Sequence, residues 1–307
     1  MRRIVFFLVP GLHLLDLAGP AQVFSALSGH GHPVTLHYVA EQPLVVSAQG
    51  VPLGAQLDWP SLTRDDLVLV PGWRVHGDRP GAAGWITPAI GPGALGRLRT
   101  HHASGGTVAS VCSGADALGR AGLLDGRRCT THHEIQRDLA RRHPRATVVP
   151  DVLYVLDDRV ATSAGIASGI DLALGFVAGW HGPATAARVA REMVVYARRN
   201  GEEPQESASL RHRAHLSDVV HRVQDVIDAR FAEPLPLRAL ADAGGVSDRT
   251  LTRLFGRATG LTPLRYQQLL RVERAEHLIG QGSTADAAAR TVGFTDARML
   301  RRLRARA

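Results

Sequence analysis

Through the first 200 residues, short apolar runs alternate with stretches of helical periodicity. IVFFLV (4–9) precedes LLDLAGPAQVFSAL (14–27). VTLHYVA (34–40) and DLVLVPG (66–72) follow, then GALGRLRTHHA (93–103), and TVASV (107–111) runs straight into SGADALGRAGLL (113–124). Strand, helix, strand in this order predicts a mostly parallel sheet covered on both faces, a three-layer α/β domain over residues 1–199. ATVVPDVLYVLDDRVATSAG (146–165) reads as two strands joined at the DD turn, and GIDLALGFVAGW (169–180) and PATAARVAREMVVYARR (183–199) read as helices. NGEEPQESASL (200–210) is polar and aperiodic, so a linker is expected over 200–214. Beyond it the pattern is helical, opening with Leu216, Val219, Val220, Val223, Val226, Ile227 and Phe231 as one apolar stripe.

The last 70 residues contain a repeat. In GGVSDRTLTRLFGRATG (244–260), a two-glycine turn leads to Ser247, a good N-cap, and then to a short helix. At about 100° per residue, Leu251, Leu254, Phe255 and Ala258 fall on one face and Arg249, Thr252 and Arg253 on the other. LPLRALADA (235–243) supplies the preceding helix of a helix-turn-helix. DAAARTVGFTDARMLRRLRARA (286–307) repeats the arrangement, 48 residues on at the glycine and 49 at the leucine, and presents Arg298, Arg301 and Arg302. LTPLRYQQLLRVERAEHLIGQG (261–282) reads as one helix joining the two copies, starting near Thr262 and Pro263. The C-terminal domain, 215–307, is therefore expected to be all-α with two helix-turn-helix units.

Charge sharpens this division. All 36 basic residues are arginine, against 28 acids. Residues 1–211 hold 20 Arg and 18 acids, a net of +2, whereas residues 212–307 hold 16 Arg and 10 acids, a net of +6 in a much shorter piece. A basic module on a near-neutral body points to an acidic polymer as partner, and the arginine fork suits phosphate and guanine edges. Cys112 and Cys129 are too few for a disulfide framework, so a cytoplasmic setting is expected. MRRIVFFLVPGLHLL imitates a secretory leader, but Pro10, Gly11, His13 and Asp16 interrupt it, and it reads as a buried strand ending in a turn. No apolar run approaches the roughly 20 residues that span a bilayer. The histidines of HGHPVTLH and THHE lack partners at ligand spacing, so neither metal nor cofactor is expected.

The phrases GLTP (260–263), RVERA (271–275) and GFTD (293–296), set on two helix-turn-helix units, resemble the DNA-binding domain of the AraC/XylS family. That resemblance implies double-stranded DNA as partner. Arg249, Thr252 and Arg253 would read one major-groove segment, and Arg298, Arg301 and Arg302 the next. The sequence departs from the family where Arg304 replaces a packing aromatic and where the closing G-x-x-P phrase is missing, so the second unit is expected to be abbreviated.

The remaining chemistry lies at VASVCSGADALG (108–119). A strand ending at Val111, then Cys112, Gly114 and a helix has the pattern of a nucleophile elbow, in which the helix N-terminus lowers a thiol pKa or holds an anion. LDLAGPAQVF, VLVPGW, SVCSGA, LLDGRRCTTHHE and TSAGIASGIDLAL together resemble the class I glutamine amidotransferase-like superfamily, in the branch of PfpI-type proteases and isocyanide hydratases. The same domain is fused to AraC-type modules in GlxA-type transcription regulators. The resemblance places Cys112 at the elbow, Asp16 as the acid beside its sulfur and Gly72 as a backbone donor near an oxyanion site, with Ser113 and Gly114 completing a sensing site. Enzymes of the superfamily that pair cysteine with histidine mostly carry the histidine where Ser113 stands here. Three roles stay open for Cys112: a ligand-sensing or redox-sensing site, a structural remnant, or the nucleophile of a hydratase or amidase. The resemblance further implies a small-molecule effector and a homodimer formed through the N-terminal domain.

Overall fold

In the computed structural model, residues 1–75, 86–195, 201–202, 205, 211–213, 215–280 and 282–304 are described. The chain divides into two compact units, Met1–Gln205 and Glu206–Ala307. Of the linker expected over 200–214, residues 201, 202, 205 and 211–213 are described, and the others lie outside the described residues.

The first unit is built on the apolar runs. Strands β1 (Arg2–Phe7), β2 (Val34–Val39), β3 (Leu44–Val46), β4 (Pro52–Gly54), β5 (Leu67–Val70), β6 (Thr107–Val111), β7 (Arg128–Cys129), β8 (Thr147–Val148), β9 (Tyr154–Asp157) and β10 (Val160–Ser163) alternate with helices α1 (Leu14–Gly29), α2 (Pro92–Ala103), α3 (Ala115–Arg120), α4 (Gln136–Arg142), α5 (Ser168–His181) and α6 (Pro183–Glu192). Six strands form one sheet in the order β2-β1-β5-β6-β10-β9, and β3–β4 and β7–β8 pair separately. All pairings in the large sheet are parallel except β9 with β10, which closes through a turn with Asp158 at φ 55°. All four residues of β5 and of β10 are buried, as expected of strands covered on both faces. Helices α1, α5 and α6 pack on one another and α2 packs on α3, giving the two layers that flank the sheet.

The strand order reverses about β1 and β5, and in such open sheets ligands settle beyond the carboxyl ends of the strands at the reversal. Four loops leave the sheet there: residues 8–13 after β1, 71–73 after β5, Cys112 after β6, and 164–167 after β10.

One expected helix is shorter than its periodicity. The stretch 183–199 stops at Glu192, where Val194 turns to φ 55° and its N–H, with that of Val195, closes back onto the Arg191 and Ala190 carbonyls. That double closure ends helices, and here it holds a β-branched residue in a conformation that normally selects glycine. Residues 196–199 lie outside the described residues.

The second unit contains α7 (Asp218–Arg230), α8 (Leu237–Gly244), α9 (Asp248–Thr259), α10 (Pro263–Gly280), α11 (Ala285–Thr291) and α12 (Ala297–Arg304). Two separate cores form. Val220, Val223, Ile227, Leu240, Leu251, Phe255 and Tyr266 make the first, and Val272, Ala275, Ala289, Val292, Phe294, Leu300 and Leu303 the second, so α10 feeds both. Leu216, expected to open the stripe of α7, is instead fully exposed: it precedes the cap Ser217, so its backbone is not yet helical and its side chain misses the buried face.

The family phrases have plain structural reasons. Gly260 (φ 74°) ends α9, Thr262 Oγ1 accepts from the Arg265 N–H at 3.2 Å, and Pro263 opens α10 where no N–H is needed. Arg271 donates to the carbonyls of Phe231 at 2.6 Å, Glu233 at 2.8 Å and Gly293 at 2.9 Å, tying α7, α10 and the second turn together. Ser247 caps α9 by accepting from the Thr250 N–H at 3.3 Å. Ser247→Ala is expected to lower the stability of this unit by about 1 kcal/mol, with Ser247→Asp close to wild type, as read from urea denaturation midpoints.

Candidate functional site

The carboxyl-end loops of the sheet and the first turn of α1 bring Asp16, Gly72 and Cys112 together. Cys112 sits at φ 54°, a left-handed conformation that a non-glycine residue adopts only under tertiary constraint, and its side chain is 7% exposed. Asp16, in the first turn of α1, is completely buried, and its Oδ2 accepts from the Gly72 N–H at 3.1 Å. Gly72 has no room for a side chain: a Cβ there would lie 2.5 Å from Asp16 Oδ2, 2.7 Å from the Cys112 Cβ and 2.9 Å from the Ser113 nitrogen.

Ser113 and Gly114 follow the cysteine at the start of the helical turn. Ser113 is completely buried and braces the elbow against the β5 loop: its Oγ accepts from the Trp73 N–H at 2.6 Å and donates to the Trp73 carbonyl at 2.8 Å. At Gly114 a Cβ would collide with the Val70 carbonyl oxygen, so this glycine lets the start of α3 rest on β5. Both support the elbow.

Gly165, which has no place in the sequence-derived site, also lies at the elbow. At φ 76° it places its backbone against Cys112, and a Cβ there would overlap the cysteine side chain and lie 3.0 Å from its Sγ. Its signal was the glycine of TSAG, immediately after a strand. At the start of α1, Gln49 Oε1 accepts from the Leu14 N–H at 3.1 Å, its Nε2 meets His13 Nδ1 at 3.3 Å, and Arg74 donates to the Ala48 carbonyl.

Electrostatics run against an activated thiol. Burial pushes the Cys112 thiol up, the Asp16 carboxylate pushes it further, and Glu134 adds to this against the hydrogen bonding from Ser113. The expected lowering at a helix N-terminus is thus overturned: α3 is only six residues long, and loss of hydration plus two acids outweighs its dipole. Burial also lifts Asp16 to about 7, opposed by the Gly72 hydrogen bond. Its Oδ1 is buried without a hydrogen-bond partner among the described residues. The His132 and His133 rings lie 4.3 Å apart, tilted by 34°, with His132 Nδ1 accepting from the Glu134 N–H at 3.4 Å.

In the second unit, α9 and α12 each bury one face and present arginines on the other. Leu251 and Phe255 are buried while Arg249, Thr252 and Arg253 are exposed, and Leu300 and Leu303 are buried while Arg298, Arg301 and Arg302 are exposed. Thr252 Oγ1 donates to the Asp248 carbonyl at 2.9 Å, leaving its methyl and hydroxyl lone pairs outward. Arg257, not singled out by the sequence reading, is exposed one turn beyond Arg253.

The uneven repeat offset has a local cause. The second reader helix is capped not by Thr295 but by Asp296, whose Oδ1 accepts from the N–H groups of Arg298 at 2.8 Å and Met299 at 3.1 Å. Ser247 and Asp296 are 49 apart and the glycines 48, so the extra residue is Thr295 in the turn. Arg304 occupies the place of Phe255 in the first copy and turns outward to Glu276 Oε1 at 3.0 Å.

This chain belongs to the DJ-1/PfpI family, which residues 2–178 match, and residues 240–307 match a helix-turn-helix domain. It thus joins a DJ-1/PfpI domain to a C-terminal AraC-type helix-turn-helix module. It is 32% identical to the HTH-type transcriptional regulator GbdR of Pseudomonas aeruginosa over 189 residues, 61% of this chain and 50% of that protein, so the match spans half of that regulator's length. It is 28% identical to the HTH-type transcriptional regulator CdhR of the same species over 90% of this chain and 80% of the other. An isonitrile hydratase of Pseudomonas putida is 33% identical over 56% of this chain and 69% of its own. An AraC family transcriptional regulator from Pseudomonas putida shares the fold at TM-score 0.52 and 22% identity, covering 63% of this chain and 100% of that one. Among the described residues no helix is long and apolar enough to cross a membrane.

Proposed function

We propose that the protein is a sequence-specific DNA-binding transcription regulator whose first unit senses a small polar effector at the Cys112 pocket. The observation that carries this reading is the pair of capped helices that bury apolar residues on one side and present Arg249, Thr252, Arg253 and Arg298, Arg301, Arg302 on the other. Each arginine offers a planar fork to guanine or phosphate. The HTH-type regulators to which the chain is similar support the same reading. In it the protein acts in the cytoplasm as a homodimer formed through the first unit, which places two readers on paired sites.

The pocket supports sensing over turnover. Nucleophilic attack needs a thiolate, and the surroundings of Cys112 are buried and acidic, holding the sulfur protonated. The same conditions oppose oxidation by peroxide, which also proceeds through the thiolate. Asp16 Oδ1 has no donor among the described residues, and an effector carrying an N–H or O–H group would supply one.

Fluorescence anisotropy across a salt series tests the reading, comparing DNA from upstream of the gene and its neighbours with scrambled DNA of equal length. Both bind through counterion release, and the genuine sequence is expected to bind at least about a thousandfold more tightly. Arg253→Ala and Arg302→Ala are each expected to remove about 1–3 kcal/mol of that preference, whereas a pure phosphate contact would weaken both DNAs alike and reduce the salt slope by about one. Equal affinity for both DNAs at every salt concentration would refute the reading.

A further inference from the structure

Two hydrogen bonds join the elbow cysteine to the residue at which the chain leaves the first unit. The Thr131 hydroxyl donates to the Cys112 carbonyl at 2.8 Å, and the Thr131 carbonyl accepts from Gln205 Nε2 at 2.9 Å and from Gln136 Nε2 at 3.3 Å. Gln205 Nε2 donates also to the Val152 carbonyl at 3.0 Å, and the Gln205 N–H donates to Asp151 Oδ1 at 3.0 Å. Four residues earlier, the Gly201 carbonyl accepts from the N–H groups of Leu153 at 2.8 Å and Tyr154 at 3.3 Å, and a Cβ at 201 would lie 2.6 Å from the Tyr154 carbonyl oxygen.

Three features make this contact a switchable one. Thr131 is completely buried, so it reports the elbow without competition from water. The carbonyl it holds belongs to Cys112, whose φ of 54° is kept against its intrinsic preference, so a shift of the elbow backbone moves that acceptor directly. Gln205 is fastened only through its donors: its Oε1 is buried without a partner among the described residues, so a competing state in which the amide reaches water satisfies one group more.

Beyond Gln205 the chain is fastened again. Gln224, completely buried, donates to the His212 carbonyl at 2.9 Å and meets His215 Nε2 at 3.1 Å. Arg213 bridges Asp225 at 2.7 Å and Asp228 at 2.8 Å, and Asp228 accepts from the Tyr266 hydroxyl at 2.8 Å. The Tyr266 ring lies against Phe255 of α9 at 5.7 Å, inside the first reader core.

We propose that Gln205 is a latch: the state of the Cys112 pocket, passed through Thr131, sets how firmly the chain leaving the first unit is held. The proposal rests on the sensor-and-reader reading above and names Gln205 and Thr131 as positioning residues for it. Because coupling is reciprocal, freeing the latch must also change the pocket.

The test is hydrogen exchange of the full chain without DNA, followed by mass spectrometry over residues 151–154 and 201–205. The site is perturbed with methyl methanethiosulfonate in excess, applied until the mass of the Cys112 peptide shows full conversion, because burial makes the thiolate scarce and the reaction slow; it turns the thiol into its methyl disulfide and releases methanesulfinate. Labelling is expected to speed exchange in both stretches about tenfold, the scale of an ordinary coupling between sites. Gln205→Met and Thr131→Val should exchange fast without label and gain nothing from it, Thr131→Ser should behave as wild type, and Cys112 should label faster in Gln205→Met. Unchanged exchange in labelled wild type, or equal labelling rates in wild type and Gln205→Met, would overturn the latch. Failure of the regulator reading shows separately, as equal affinity for genuine and scrambled DNA with the latch behaviour intact.

Discussion

Asp16→Asn is expected to stabilise the protein at pH 8 by up to about 4 kcal/mol, while changing little at pH 4. Burial lifts the Asp16 carboxyl from 3.8 to about 7 in the folded state. Between those values the folded chain binds a proton that the unfolded chain has released, so wild-type stability falls as pH rises from about 4 through 7. Roughly 3 pKa units at about 1.36 kcal/mol each set the size of the loss. Asparagine keeps an oxygen to accept the Gly72 N–H and has no charge to bury, so its stability curve should be flat across that window. Urea denaturation at one-unit pH steps measures this, and parallel curves for variant and wild type would remove Asp16 as the source. A completely buried acid with one oxygen unpartnered is what the effector site proposed above calls for. The same variant should lose the response to effector while keeping its DNA affinity.

What the sequence discloses is what local pattern controls. The run LVLV becomes β5 because four consecutive apolar residues suit a strand buried on both faces, and Ser247 before TLTRLF starts α9 because a hydroxyl there meets a free N–H. The strand-cysteine-glycine phrase is likewise local, and it places Cys112 at a left-handed elbow. Gly165 carries a local signal, a glycine just after β10, but the contacts of Thr131 and Gln205 arise from distant loops meeting at the end of the sheet and have no signature of their own. The direction of the Cys112 shift was misjudged for the same reason: a helix N-terminus can be read from letters, but burial beside Asp16 and Glu134 cannot. Leu216 fits the stripe of α7 by spacing alone, and only the cap at Ser217 shows that the helix has not yet begun. In the second reader the turn holds one residue more than in the first, and the cap is Asp296, a shift that the spacing of 48 at the glycine and 49 at the leucine already contains.

Gly293→Ala is expected to cost roughly 4 kcal/mol, whereas Gly245→Ala, at the matching place in the first copy, should cost about 1 kcal/mol. Both glycines turn left-handed between the two helices of their unit, at φ 86° and φ 69°. That shared conformation accounts for the smaller figure. Around Gly245 a Cβ meets open space, but at Gly293 it would lie far inside van der Waals contact of the Ala232 carbonyl oxygen, with the Ala232 carbon at 2.8 Å. Relief requires the second turn to move away from the end of α7, and that motion strains the bonds from Arg271 to Gly293 at one side and to Phe231 at the other. The second core is built mostly from small residues, and Arg304 gives it no aromatic where Phe255 fills the first, so it has little to absorb the displacement. Urea denaturation of the full chain, followed together with DNA anisotropy, compares the two variants. Gly293→Ala should lose the contribution of Arg298, Arg301 and Arg302 while retaining binding through α9, and Gly245→Ala should keep both. Equal costs for the two substitutions would mean that the turn conformation alone, and not the close approach of Ala232, fixes glycine in GFTD.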